Sequence, residues 1–378
     1  MGPVLISALL ALMSPPAGAC SNPAPAHPVL TERPWAQRML DPAAVWPVST
    51  GKGVTVAVID SGVDADHPQL RPRGAVLRGE DFHLQGELPG SFDCDSHGTA
   101  VASIVAGRSV RGVGFAGIAP GATILPVRVS DRGVTDSGAV EAIDPVVLAR
   151  GIWYAVDHGA TVINLSLAGS GDHPLIRDAV ANAVQHDVLV VAATGNGQRG
   201  RAAQRSYPAA YEGVLGVGAV DENGQRLPAS QIGPQVDLVA PGARVLAATR
   251  AGGHQYWQGT SFAAPFVAAT AALVRSAWPK LTAAQVAERI LATATPAPGG
   301  KGSREYGAGL VNPYRAVTDG LTSAAPAAVP PLVAPVPAAP RERAPVVPIM
   351  GGAVALSLTL LLASWTARRA RPIGRARR

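Results

Sequence analysis

A parallel α/β sheet covered by helices on both faces is the fold class that this sequence predicts, and three observations predict it. First, five short segments are nearly unbroken runs of Val, Ile, Leu, Ala and Gly: VTVAVID (54–60), TILPVRV (123–129), TVINLSL (161–167), VLVVAAT (188–194) and GVLGVGAV (213–220). Strands buried on both faces read this way, whereas half-buried strands alternate polar and apolar residues. Second, candidate helices lie among them at His97–Gly107, Val146–His158, Pro174–His186 and Ser261–Ala277; strand–helix alternation implies a parallel sheet in three layers. Third, no unit recurs with a period of about 20–50 residues, which excludes solenoids and propellers.

The alternating region occupies residues 53–320, and the ends read differently. An apolar run at Val4–Met13 followed by Ala17-Gly18-Ala19 has the length and small-residue cleavage site of a secretory signal, predicting a signal peptide over 1–19. Its usual basic start is missing, since no Lys or Arg precedes Arg33. Residues 20–52 form an N-terminal extension. Residues 321–345 are an Ala/Pro-rich tether without a core-forming pattern, a semi-rigid spacer. Residues 346–366 carry no charge and predict one transmembrane helix. The basic tail 367–378 follows at once, so the tail is expected inside and the rest of the chain outside.

The net charge of +6 is not a nucleic-acid signal, because six arginines from Arg368 to Arg378 account for all of it. At 47% hydrophobic and 15% charged, the chain has the material for a buried core.

Three segments carry candidate chemistry. In VAVIDSGVD, Asp60 ends a buried strand, where a carboxylate is costly unless paired. In DCDSHGTAVASIVAG, His97 opens a helix of small residues. In YWQGTSFAAPFVAATAALV, Ser261 opens a helix apolar all round, with Pro265 expected in its first turn. A hydroxyl there sits where unpaired N–H groups favour a developing anion. Singly, each has a plainer reading: a strand-end Asp, a helix-capping His, an N-capping Ser. Together they follow the chain order Asp, His, Ser of subtilisin.

The surrounding words resemble the three subtilase signatures: D-S-G at Asp60, H-G-T at His97 and G-T-S-F-A-A-P at Ser261. The resemblance implies a subtilisin-like domain and a serine endopeptidase with Asp60, His97 and Ser261 as triad. It also implies Asn196 as the side-chain donor of the oxyanion hole, and a cleft lined by SLAG (Ser166, Leu167, Ala168, Gly169) and by Ala193 and Gly195. No cofactor is implied, and no carboxylate cluster suggests a metal site. Phe266 stands where many subtilases have His.

The extension PWAQRMLDPAAVWPVSTGKG (34–53), the DCD before Ser96-His97, the tether and the apolar C-terminal segment resemble the mycosins, membrane-anchored subtilases associated with type VII secretion. That resemblance implies a protein or peptide substrate, a type VII secretion membrane complex as partner, and a single-pass location at the cell membrane. It leaves open whether catalysis or a scaffolding role dominates. A general degradative subtilisin is disfavoured by the anchor and by an extension too short to fold alone. Cys20 and Cys94 are the only cysteines, so one disulfide is the default in an exported protein. The alternative is a lipidated Cys20, which AGAC permits although Ala17 stands where Leu is usual.

Overall fold

The computed structural model describes residues 19–84, 87–131, 144–200 and 202–320. The signal segment up to residue 18, the tether, the apolar segment 346–366 and the basic tail lie outside them. Among the described residues no helix is long and apolar enough to cross a membrane.

Seven strands form one parallel sheet: β1 Thr55–Asp60, β2 Glu80–Asp81, β3 Thr123–Arg128, β4 Val162–Leu165, β5 Leu189–Ala193, β6 Val214–Val220 and β7 Leu238–Pro241, in the order β2-β3-β1-β4-β5-β6-β7. The strands are continuous apolar runs because both faces are covered. In β1, Val56 and Val58 enter one core while Ala57 and Ile59 enter the other; in β5, Leu189, Val191 and Ala193 alternate in the same way with Val190 and Ala192. After β1 the chain adds β2 and β3 on one side, then returns to place β4 on the other. The sheet direction therefore switches at β1, and crevices open at the carboxyl ends of strands at such a point.

The helices are α1 Trp35–Leu40, α2 Pro42–Val45, α3 His97–Ala106, α4 Pro145–Asp157, α5 Pro174–Gln185, α6 Thr260–Ala277, α7 Ala283–Thr293 and α8 Pro313–Thr318. A hairpin, β8 Val245–Ala248 with β9 His254–Trp257, precedes α6. Helices α3 and α6 pack in the larger core, and α4 and α5 in the smaller one. Every residue of α3 is buried, as is α6 from Thr260 to Val274. Their Ala-rich sequences allow close approach, so α6 runs through the centre of its layer with α7 and α8 packed on it.

The N-terminal extension lies along the domain. Ala24 N–H donates to the Cys94 carbonyl (2.7 Å), His254 N–H to the Pro28 carbonyl (3.0 Å), and Trp35 Nε1–H to the Ala243 carbonyl (2.9 Å). Cys20 and Cys94 form a disulfide. This excludes a lipidated Cys20 in this structure and ties the extension to the loop before His97.

Candidate active site

Asp60 is the last residue of β1, at the sheet's switch point, and His97 is the first of α3. The two elements come close because Gly98 has no side chain. A methyl there would stand 2.0 Å from the Gly62 carbonyl oxygen and 3.1 Å from Asp60 Cβ. His97 Nδ1–H donates to Asp60 Oδ1 at 2.7 Å, and the same oxygen accepts the Ser61 N–H at 2.7 Å. The pair is enclosed, with His97 3% and Asp60 6% exposed. Phe262 lies against the imidazole at 4.9 Å between ring centroids. Burial lowers the His97 pKa, but the neighbouring carboxylates of Asp60, Asp95 and Asp93 outweigh it, and the net shift is upward. His97 Nε2 is buried without a hydrogen-bond partner, so in this conformation it does not bond the Ser261 hydroxyl.

Ser261 is the second residue of α6. The helix starts at Thr260, and Pro265, its sixth residue, falls in the second turn, not the first as expected. Proline has no N–H, and in a helix it would have served the carbonyl four residues back. That carbonyl belongs to Ser261. The Ser166 hydroxyl, just past β4, replaces the missing donor at 2.6 Å and itself accepts from Asn164 Nδ2–H at 2.9 Å. The Ser166 hydroxyl therefore supports the Ser261 backbone, a contact the sequence did not disclose.

Asn196 follows β5. Its Oδ1 accepts from Thr260 N–H (2.9 Å) and Thr260 Oγ1–H (3.1 Å), while Thr260 Oγ1 accepts the Gly195 N–H (3.1 Å). With its oxygen committed, the amide has its Nδ2 hydrogens to offer. Gly259, at φ 132°, makes room for them, since a methyl there would lie 2.8 Å from Asn196 Nδ2. This φ falls in the region that strongly favours glycine.

A cleft of about 550 Å³ opens beside Ser261, Thr260 and Asn196. Leu167, Ala168, Gly169 and Gly195 line it. Ala193 does not: the two-residue period of β5 turns it into the larger core at 1% exposure. Walls that sequence reasoning missed come from Leu148 and Ile176 on the α4/α5 layer and from Tyr207, Pro208 and Gln231. These have no motif; only the fold brings them here. Asp93 was likewise visible only as a letter of the DCD motif. It proves to be a buried carboxylate that accepts five hydrogen bonds. Among the described residues no group of His, Cys, Asp and Glu could hold a metal ion.

This architecture and arrangement define a class. The family model described as "Subtilase family" (Peptidase S8) matches residues 51–309, and the chain belongs to the subtilase family. More particularly, its fold is similar to two solved proteases of type VII secretion. MycP1 from Mycobacterium smegmatis is 31% identical with a TM-score of 0.69, covering 84% of this chain and 93% of its own. The MycP3 protease from the type VII (ESX-3) secretion system is 31% identical with a TM-score of 0.66, covering 81% and 99%. Subtilisin NAT of Bacillus subtilis subsp. natto is 38% identical over 264 residues, 70% of this chain but 65% of its own full length. The match therefore spans about two thirds of that relative.

Proposed function

We propose that the protein is a serine endopeptidase of the subtilisin type, with Asp60, His97 and Ser261 as its triad. The observation that carries the reading is the buried His97, fixed at Nδ1 by Asp60 and unpartnered at Nε2, at the same end of the sheet as Ser261. Holding Nδ1–H on the carboxylate fixes the tautomer in which Nε2 is basic. Catalytic hydrogen bonds are often unmade in the free enzyme and tighten with substrate bound. His97 Nε2 takes the Ser261 proton as the hydroxyl oxygen attacks a peptide carbonyl. The tetrahedral oxyanion is met by the Asn196 amide and the Ser261 N–H at the start of α6, each such donor being worth about 3–4 kcal/mol. Imidazolium then protonates the leaving amine. Water, deprotonated in turn by His97, releases the acyl group.

The same reading extends to place and partner. Residues 1–19 export the chain, 346–366 anchor it, and 367–378 remain cytoplasmic, which sets the peptidase domain outside the cell membrane. There it serves a type VII secretion complex, a role suggested by its similarity to MycP1 and MycP3. A second reading is mainly structural. It is favoured by similarity to a MycP1 described as an essential component of the type VII (ESX-1) secretion system, at 32% identity and TM-score 0.69.

A fluorophosphonate reporter tests the enzyme reading. The wild-type chain is expected to label on Ser261, and Ser261→Ala to lose both labelling and peptide hydrolysis, the latter on the order of a millionfold. An unlabelled wild type overturns it. Secretion that persists in a strain carrying only Ser261→Ala, while hydrolysis is gone, selects the structural role.

A further inference from the structure

We propose that Asp93 is a positioning residue for the Asp60–His97 pair, a buried carboxylate that fastens the end of β1 to the first turn of α3. The inference rests on the serine-protease reading above.

Asp93 is 4% exposed, yet both of its oxygens are fully engaged. Oδ1 accepts from the Ser61 hydroxyl (3.0 Å) and from the N–H groups of Asp95 (2.9 Å) and Ser96 (3.0 Å). Oδ2 accepts from the Thr99 N–H (2.9 Å) and hydroxyl (2.6 Å). Ser61 Oγ in turn accepts the Gly98 N–H at 3.0 Å. Ser61 follows Asp60 in the chain and Gly98 follows His97. One carboxylate and one hydroxyl therefore link the residues next to both members of the pair.

The far side of Ser61 is also held. Its carbonyl accepts from Arg128 Nε–H at 3.1 Å, and the fully buried Arg128 is paired with Asp81 (2.7 Å) and Asp131. Ser96, at φ 96°, occupies backbone space that side-chain-bearing residues avoid, and its N–H is one of those Asp93 holds. Such strain persists where surrounding contacts over-determine it.

Five donors on two oxygens demand an ionised acceptor, since a protonated acid spends one oxygen site on its own hydrogen. Among the described residues no cation pairs with the carboxylate. Arg250 Nε–H goes instead to the Asp93 backbone carbonyl at 3.2 Å. The charged groups around it are Asp95 on its own loop, Asp60 on β1, His97 on α3, Arg128 on β3 and Arg250 beyond β8. Burial pushes the Asp93 carboxyl up to about 6, although the hydrogen bonds from Thr99 and Ser96 oppose it. The clamp is therefore weakened in mild acid, where one acceptor is lost. Its charge is also among those that raise His97.

The test measures fluorophosphonate labelling of the full chain between about pH 5 and 8, the range where histidine titrates, separating maximal rate from inhibitor affinity. Asp93→Asn is expected to lower the maximal rate about tenfold or more at unchanged affinity. It should also move the acid limb to lower pH, because His97 loses a neighbouring negative charge. Ser61→Ala, which removes the bridge and keeps the charge, should lower the rate and leave the acid limb in place. A rate within about twofold of wild type in both variants overturns the proposal, as does a slower Asp93→Asn whose acid limb has not moved. If Asp93→Asn does not fold, the Ser61→Ala rate decides alone. Should the wild type not label at all, the serine-protease reading fails. An NMR titration of His97 in wild type and Asp93→Asn then judges the linkage: a lower His97 pKa supports it, and an unchanged one overturns it.

Discussion

The two helical layers flanking the sheet differ in kind. Helices α3 and α6 are buried on all sides, whereas α4 and α5 bury one stripe each: Leu148, Ala149, Ile152 and Ala155 in α4, and Ile176, Ala179, Val180 and Ala183 in α5. His97 and Ser261 both start helices of the enclosed layer, while the open layer supplies Leu148 and Ile176 to the cleft wall. The fold thus separates reactive geometry from pocket shape. Groups that must hold position within a fraction of an ångström are packed on every side. The residues that shape the cleft wall sit on the buried stripes of helices whose other faces are open to solvent.

Substitutions in the two layers should expose the difference. Phe266→Ala, at 2% exposure in α6, is expected to cost about 3–5 kcal/mol in denaturant unfolding. Ile176→Ala in α5, at 9% exposure on the cleft wall, should cost about 2 kcal/mol and change the ranking of bulky against small P1 residues. Equal stability losses, or an unchanged ranking, would break the comparison.

Next in size is a single methyl in the enclosed layer. Gly98→Ala must push α3 from the Gly62 carbonyl, and labelling of Ser261 should slow about 100-fold while circular dichroism stays native. Labelling within about threefold of wild type would mean that the seat of α3 is loose.

The smallest effect separates a structural carboxylate from one at the site. Asp237 accepts the Gly216 N–H at 2.7 Å, and burial raises its carboxyl to about 6. A raised carboxyl contributes stability that is full below the unfolded value near 4 and is lost as pH rises through about 6. Asp237→Asn should remove this decline, so its deficit against wild type is larger at pH 4 than at pH 7.5 by about 1–3 kcal/mol. Urea melts at both pH values measure it; a pH-independent deficit contradicts the sign. Labelling at pH 7.5 should stay unchanged.

What the sequence disclosed follows the same division. Strands β1, β3, β4, β5 and β6 were legible because burial on both faces leaves continuous apolar runs. Others were not: β2 has only two residues, β7 ends on Pro241, and β9 carries His254, Gln255 and Tyr256 in place of an apolar run. Helix α7 was missed although Thr282 and Gln285 form a capping box, each side chain bonding the other's N–H. Asp60, His97, Ser261 and Asn196 were singled out through words that travel together. The support behind them was hidden, because Asp93, Ser61 and Arg128 come from three separate segments. Motif letters did not say that the Ser166 hydroxyl turns to the Ser261 carbonyl or that the Ala193 methyl turns into the larger core. Pro265 explains Ser166 only once the helix register is known.

The bond between Cys20 and Cys94 spans 74 residues of sequence and has a topological consequence. Cutting any peptide bond inside that loop leaves two chains that remain one molecule. Arg38, Lys52, Arg73 and Arg78, exposed points where a trypsin-like enzyme could cut, all lie within it. A nick there shortens the band on a reducing gel and leaves the native mass unchanged apart from one water. A single cut therefore cannot discard the segment that carries Cys20. After one such nick, releasing it takes a reductant as well.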